Sequence, residues 1–509
     1  MTESNSDNKR LAKNSLFLYG RTFLTMIIGF YSSRVILQAL GVEVFGLYNI
    51  VGGFVAMFNL ITDSLVTASQ RYITVEIGKR ESGDIHKVFG VVVYIHILLA
   101  MTFALLLETI GLWFVNNKLN IPPNSYYAAN WIFQFSVLTA IIGLFSTPYY
   151  AVIVAHEKMT AFAYIGLFRS IATLAICFCI MYYGGNRVIL YAFLLMVVNI
   201  ITQFILVKYC IRNFHGVKFW VNRDKRLVRS MFNFAGANFL GSMAWTLSGQ
   251  GVNIVLNLFF GVALNAARGI TTQVQQLVNR FVSDFTTALS PQITKEYSGG
   301  NLKNSLQLCF KGAKFSFLLM LIPVIPVLVR VDSILQLWLI NYPQYTTEFI
   351  SISLFISLFN TLGNLFQNML YASGEIKAYT WWSSAIRLLV LPLVYIAFYY
   401  THNPLYAYIV VIFTDIPIIF LRIIILERIS KLKILRAFFL QIVLRVIPVL
   451  IIGIGVAILI NHLFQPNLWG LIMFGLTTTA ITMVLSLFIA LTHEESKFVY
   501  RLIAKKLHL

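Results

Sequence analysis

GVEVFGLYNIVGGFVAMFNLITDSLVTASQRYITVE (41–76) decides the fold, because its landmarks return in GVALNAARGITTQVQQLVNRFVSDFTTALSPQITKE (261–296). At this offset of 220 residues Gly41-Val42 recurs as Gly261-Val262 and Ile50 as Ile270, and Ile73-Thr74-x-Glu76 recurs as Ile293-Thr294-x-Glu296. Further along the offset is 218, pairing Glu157 with Glu375 and Arg169 with Arg387. Ordered matches at nearly constant spacing indicate an internal duplication. The repeated unit holds six helices, and an even number of spans leaves both copies in the same orientation, which makes a parallel repeat. Such halves commonly rock about a central site to give alternating access.

The helices themselves are read from hydropathy. Of the 509 residues 58% are hydrophobic and 15% aromatic, and the mean hydropathy is +0.78, the composition of a multi-pass membrane protein. A span takes about 20 apolar residues. On that scale fourteen helices are predicted, at 13–39, 44–75, 87–115, 127–154, 160–184, 187–210, 230–259, 264–292, 304–330, 347–371, 378–400, 404–426, 437–462 and 467–491. The expected class is all-α: an N-terminal lobe (1–212), a basic connector (213–229), a second lobe (230–428), and helices 13 and 14 with an amphipathic tail (429–509).

Charge sets the expected orientation. With the N-terminus in the cytoplasm, 25 of the 39 Lys and Arg residues fall in cytoplasmic segments and three (Lys118, Arg187, Arg330) on the far side. That asymmetry predicts two cytoplasmic termini and accounts for most of the net charge of +20. The basic residues are spread over short loops, which argues against a nucleic-acid partner. The polar MTESNSDNKRLAK start is expected to stay uncleaved. Cys177, Cys179, Cys210 and Cys309 have no metal or disulfide spacing.

Eleven Lys and Arg residues lie inside the apolar segments, where charge is costly and usually faces a partner, water or a substrate path. Helix 2 carries Asn59, Asp63, Thr67, Gln70, Arg71 and Thr74 on one stripe. Helix 8 carries Arg268, Thr272, Gln276, Asn279 and Ser283, widened by Gln273, Arg280, Asp284 and Thr287. Helix 7 shows Ser242, Thr246, Gln250, Asn253 and Asn257, and helix 1 offers Arg21, Thr25 and Ser32. These stripes predict a hydrated cavity whose walls bind something negative. Interhelical hydrogen bonding is the alternative for the small polar residues, but it leaves the arginines unexplained.

The arginines divide by depth. Lys311, Lys314 and Arg422 lie near the cytoplasmic face and are expected to snorkel to headgroups. Arg280 can reach Asp284 one turn on. Arg21, Arg169 and Arg387 have no acid on their own helices and are lumen candidates. The substrate-binding set is therefore Arg21, Arg71, Arg169, Arg268, Arg280, Arg387, Asn59, Gln70, Gln250 and Gln276. Asp63, Asp284 and Asp415 are the candidates for ion pairing or for Na⁺ or H⁺ coupling, Asp415 beside Thr414 being a candidate Na⁺ ligand. No phosphate-cradling loop, nucleophile elbow or HExxH helix occurs, so neither an enzyme nor an ATP-driven pump is expected, and no cofactor.

SRVILQALGVEVFGLYNIVGGF (33–54), ASQRYITVEIGK (68–79), NAARGITTQVQQLVNRF (265–281), LSPQITKEYSGG (289–300) and LYASGEIKAY (370–379) resemble the polysaccharide flippases of the multidrug/oligosaccharidyl-lipid/polysaccharide exporter superfamily, in particular the O-antigen branch. The resemblance implies two six-helix lobes around a V-shaped cavity in a bacterial inner membrane. It also implies transfer of an undecaprenyl-pyrophosphate-linked oligosaccharide, with polysaccharide polymerase machinery as a possible partner beside the membrane lipids. Arg21, Arg71 and Arg268 stand where such a family would meet the pyrophosphate. A cation-coupled multidrug exporter of the same fold is the competing reading, and a major-facilitator-type carrier a third.

Overall fold

In a computed structural model, residues 25, 27–78, 84–156, 159–214, 216–493 and 495–496 are described. All regular structure among them is helical: α1 (Ile27–Leu40), α2 (Val42–Ala56), α3 (Asn59–Gly78), α4 (Ile85–Asn117), α5 (Tyr126–Ala155), α6 (Met159–Met181) and α7 (Arg187–Asn213). They are followed by α8 (Lys225–Thr246), α9 (Val252–Phe260), α10 (Val262–Ser298), α11 (Leu302–Val329), α12 (Val331–Leu339) and α13 (Thr346–Ser373). The last five are α14 (Ile376–Leu388), α15 (Val390–Thr401), α16 (Tyr406–Ser430), α17 (Ile434–Leu463) and α18 (Leu468–Ala490).

Ten helices among the described residues are long and apolar enough to cross a membrane, or eleven if the bent pair α1–α2 is one span. Outside that group and the bent pair lie α3, α8, α9, α10 and the short α12; the first four carry the polar stripes of predicted helices 2, 7 and 8. Sequence repetition reappears as backbone conformation. α1 gives way to α2 at Gly41 (φ 79°), with a bend of 116°, and α9 gives way to α10 at Gly261 (φ 77°). L side chains rarely adopt that region, so both corners need glycine. Helix 2, expected to be unbroken over 44–75, is interrupted at Met57–Phe58. The break follows Gly52-Gly53, the weakest helix formers in the stretch.

By contacts the chain forms two compact units, 1–266 and 267–509. In the first, α5 packs along α7, and α3 lies along α8 and α5. One core joins Leu65, Ile73, Phe89, Val92, Tyr149, Val152, Leu206 and Met231. A second joins Leu47, Ile50, Val51, Phe54, Leu107, Phe133 and Val262. Lys87 bonds Asp224 at 2.8 Å at the start of α8. That bond, with the backbone N–H groups of Leu227 and Arg226, holds the Asp224 carboxyl below its ordinary range. Lys87 is exposed and Asp224 half-exposed, and solvent-screened pairs of that kind contribute little to stability.

In the second unit α13 packs against α11 and α16, and α17 and α18 pack on α11. Phe317, Phe349, Phe366, Phe398, Phe438 and Phe474 are fully buried. Arg330 closes the end of α11 onto the α17–α18 connection. Its guanidinium donates to the Asn461 side chain at 2.6 Å and to the carbonyls of Asn461, Phe464 and Gln465, and it lies over the Phe474 ring.

Lys314 departs from expectation. It does not snorkel; it is buried and paired with Glu495 at 2.5 Å. The start of the C-terminal tail folds back to meet it, through Thr492 N–H donating to Glu495 and Ser496 Oγ–H donating to the Leu487 carbonyl. The rest of the tail, 497–509, lies outside the described residues. Burial alone would raise the Glu495 carboxyl, but the bonds from Lys314 and Thr492 outweigh it and hold it below the ordinary glutamate range. A depressed carboxyl contributes stability above its unfolded value and loses it as pH falls through the folded value. Acidification below about pH 4.3 should therefore release the tail. Faster proteolysis of the tail at low pH in the wild type, with a pH-independent rate in Glu495→Gln, would show this.

Candidate functional site

A helix rich in polar residues inside a membrane protein must place them against water or against each other, and α10 does both on opposite faces. Ile270, Thr271, Val274, Val278 and Val282 are buried. Gln275 reaches α13, its amide donating to Ser357 Oγ at 2.9 Å, and Asn368 of α13 donates to Ser290 Oγ at 2.5 Å. Thr272, Gln276, Asn279, Arg280, Ser283 and Thr287 are exposed. Arg268 is half-buried and lies over the Tyr408 ring of α16, 5.7 Å from its centroid. The exposed face thus presents amides, hydroxyls and two guanidinium groups. Such a surface suits sugar hydroxyls and phosphate oxygens, since guanidinium binds oxyanions through paired N–H donors.

In the first unit Gln70 is half-buried, and Arg71 and Arg169 are exposed. Gln250 lies in the π-turn Leu247–Gly251 between α8 and α9; single π-turns in α-helices are frequent at functional sites. A methyl group at Gly53 would lie 2.8 Å from Gln250 Oε1 and 3.3 Å from Asn253 Nδ2, so α2 and this turn are in close approach. Arg21 lies outside the described residues, as do the side chains of Asn59, Asp63 and Asp284.

Buried amides fix the corner next to Gly261. Asn257 Nδ2 donates to Asn265 Oδ1 at 3.1 Å and to the Asn120 carbonyl at 3.3 Å, while Asn120 N–H donates to Asn257 Oδ1 at 2.9 Å. Asn265 Nδ2 donates to the Asn253 carbonyl and to Asn253 Oδ1, both at 2.8 Å. Asn257 and Asn265 are fully buried. Replacing Asn257 by Leu leaves the Asn120 and Asn265 groups unpaired in the interior, at about 1–3 kcal/mol each. The expected result is a clear fall in the thermal unfolding midpoint of Asn257→Leu, and a small one for the exposed Asn279→Leu.

Arg387 meets an acid from another helix. Its Nη2 lies 3.3 Å from Asp415 Oδ1, and Asn360 of α13 donates to Asp415 Oδ2 at 3.0 Å. Asp415 thus holds an arginine within ion-pair distance. Arg422, expected to snorkel, is 5% exposed; its Nε donates to Tyr379 Oη at 2.9 Å and its Nη1 to Asn364 Oδ1 at 3.4 Å. It turns inward because α13 and α14 offer it polar partners. The sequence reading missed the α13 stripe: Ser353, Ser357, Asn360, Asn364 and Asn368 recur at helical spacing and could have been found by it. His96 is buried with Nδ1 on the Val92 carbonyl, and all four cysteines are free thiols, Cys179 being exposed.

Solved structures with the same fold are membrane transporters. An inward-facing multidrug-resistance transporter of the MATE family matches with a TM-score of 0.66 at 14% identity, over 81% of this chain and 96% of that one. The lipid II flippase MurJ in an inward closed conformation also matches with a TM-score of 0.66 at 14% identity, over 93% of this chain and 98% of that one. A transporter of the MOP superfamily from Pyrococcus furiosus, described as having a binding pocket of reversed polarity, matches with a TM-score of 0.58 at 16% identity, over 81% of this chain and 95% of that one. No curated protein matches the chain significantly. The sequence model of the polysaccharide biosynthesis protein family matches residues 11–295, more than half of the chain. The chain therefore belongs to the polysaccharide biosynthesis protein family, and ten of its described helices are long and apolar enough to cross a membrane.

Proposed function

We propose that this protein flips an undecaprenyl-pyrophosphate-linked oligosaccharide, the repeat unit of an O-antigen, capsule or exopolysaccharide, from the cytoplasmic to the periplasmic leaflet of a bacterial inner membrane. The observation that carries this reading is the exposed polar face of α10 with Arg268 and Arg280, in a chain of the polysaccharide biosynthesis family. Pyrophosphate oxygens bind to the guanidinium groups while sugars exchange hydrogen bonds with the amides and hydroxyls. In a cavity less polar than water that attraction is strengthened. Arg21, Arg71 and Arg169, with Asn59, Gln70, Gln250 and Gln276, are the further residues proposed to contact the substrate during its passage.

The fourteen-helix layout as two six-helix lobes plus two helices, the V-shaped cavity and the cytoplasmic termini belong to this proposal. So does alternating access driven by Na⁺ or H⁺ coupling, with Asp63, Asp284 and Asp415 as candidates, or by the membrane potential, worth about 2.3 kcal/mol per charge per 100 mV. Delivery to polysaccharide polymerase machinery would follow on the far side.

A multidrug exporter is the second reading, favoured by the equal structural likeness to a MATE transporter. Cationic drugs prefer acidic or aromatic walls, whereas α10 presents arginines. Cells lacking the protein should accumulate glycan-lipid on the cytoplasmic leaflet, and Arg21→Ala and Arg268→Ala should reduce flipping at normal expression. Drug sensitivity without glycan-lipid accumulation would favour the exporter instead.

A further inference from the structure

Between α7 and α8 the chain crosses the start of α4 without forming a helix. One side of residues 216–224 is tied down. Val217 is fully buried, Asn222 N–H donates to the Gly90 carbonyl at 3.1 Å, and Lys87 bonds Asp224. The Trp220 ring lies 5.5 Å from that of His86 and packs on Gly90, where a Cβ would overlap it, and the Arg223 guanidinium lies over the Tyr94 ring. The other side is open. Phe219 is 64% exposed and Trp220 50%, Val221 is exposed beside them, and Lys218, Arg223, Lys225, Arg226 and Arg229 are exposed around the three. Adjacent large apolar side chains held away from the core, with a charged rim, mark an interaction surface.

Depth decides what covers it. α4 has 33 residues, and at about 1.5 Å each it is about 50 Å long against a hydrocarbon layer about 30 Å thick. A rod centred in that layer puts Gly90, in its second turn, at the layer's edge. The irregular backbone of 216–224 gives the same level, because lipid tails would leave its polar groups unsatisfied whereas headgroups and water supply partners. Tryptophan is favoured at this boundary, and clustered Lys and Arg attract anionic headgroups there. We infer that residues 218–229 form a recognition surface for anionic phospholipid in the leaflet at the start of α4. Phe219, Trp220 and Val221 enter the boundary of the acyl chains, and the five cations meet the lipid phosphates. A protein partner would also suit the apolar triplet, but the depth and the five cations favour lipid. The inference is independent of the proposed function.

The test uses the purified full-length protein in phosphatidylcholine bilayers that contain a minor fraction of brominated phosphatidylglycerol or, at the same fraction, brominated phosphatidylcholine. Bromine quenches only nearby indoles, and of the eight tryptophans Trp220 is isolated by difference against Trp220→Phe. Brominated phosphatidylglycerol should quench Trp220 several-fold more than brominated phosphatidylcholine. Lys225→Gln/Arg226→Gln/Arg229→Gln should bring the two lipids level, and so should salt raised from about 0.1 M to 1 M, which shortens the screening length from about 10 Å to 3 Å. Phe219→Trp in the Trp220→Phe background should restore the preference. Equal quenching by the two lipids in the wild type overturns the inference, as does an undiminished preference in the triple variant. Quenching of Trp220 by neither lipid would place this surface against water or a protein and overturns it as well. Should the triple variant fail to fold, a wild-type preference unchanged at 1 M salt overturns it.

Discussion

Gly46→Ala should destabilise the protein sharply, although it adds a single methyl group to a helix and improves helix propensity. A Cβ at position 46 would lie 1.9 Å from the Val262 carbonyl oxygen and 3.3 Å from the Ala266 backbone nitrogen. The obstacle is backbone, so no rotamer change relieves it, and α2 must move away from the first turn of α10. That first turn is pinned by the Asn253–Asn257–Asn265 amides and by the Gly261 corner, so the strain spreads into buried hydrogen bonds. Overpacking of this kind costs about 1–3 kcal/mol where side chains can yield, and more is expected here. Gly52→Ala, one and a half turns along the same helix with nothing within 4 Å, is the control and should be tolerated. Unfolding midpoints of both variants in detergent decide the matter. An unperturbed Gly46→Ala would mean that α2 and α10 do not cross this closely.

Asp415→Ala should be the second severe substitution. It removes the carboxylate that faces Arg387 and leaves Asn360 without its acceptor, both in the interior of the second unit. Breaking a buried pair by removing one partner typically costs about 3–5 kcal/mol, because an uncompensated charge remains. Arg387 keeps some exposure, which places the cost toward the lower end. The double variant Arg387→Met/Asp415→Leu removes both charges and should recover much of the loss, since an apolar pair of similar volume is often neutral or stabilising. Equal instability of the single and double variants would show that Asp415 acts through Asn360 and not through Arg387.

The architecture was legible where sequence and backbone are linked locally. Gly41-Val42 and Gly261-Val262, matched by offset alone, became two corners with nearly the same positive φ. The polar stripes marked the helices that are too polar to pass as ordinary spans, and the α10 stripe emerged as an exposed face opposite a row of valines. Partnership between distant helices was not legible. Depth along the helix suggested that Lys314 and Arg422 reach toward headgroups. Their surroundings are instead set by Glu495, 181 residues away, and by Tyr379 and Asn364, 43 and 58 residues away. A single sequence fixes which face a residue occupies but not which helix covers that face. For the same reason Arg387 looked isolated on its own helix while Asp415 awaited it on another.

If α10 turns a wet, arginine-bearing face toward the substrate, as proposed, cysteine accessibility reads that face most directly. In a background with Cys177, Cys179, Cys210 and Cys309 replaced, single cysteines are introduced at Thr272, Gln276, Asn279, Ser283 and Thr287, and at Val274, Val278 and Val282. A membrane-impermeant thiol reagent should label the first set and spare the second, and a pyrophosphate-bearing glycan-lipid should protect the positions nearest Arg268 and Arg280. Uniform protection of both sets, or labelling only by membrane-soluble reagents, would place this face in lipid and contradict the account.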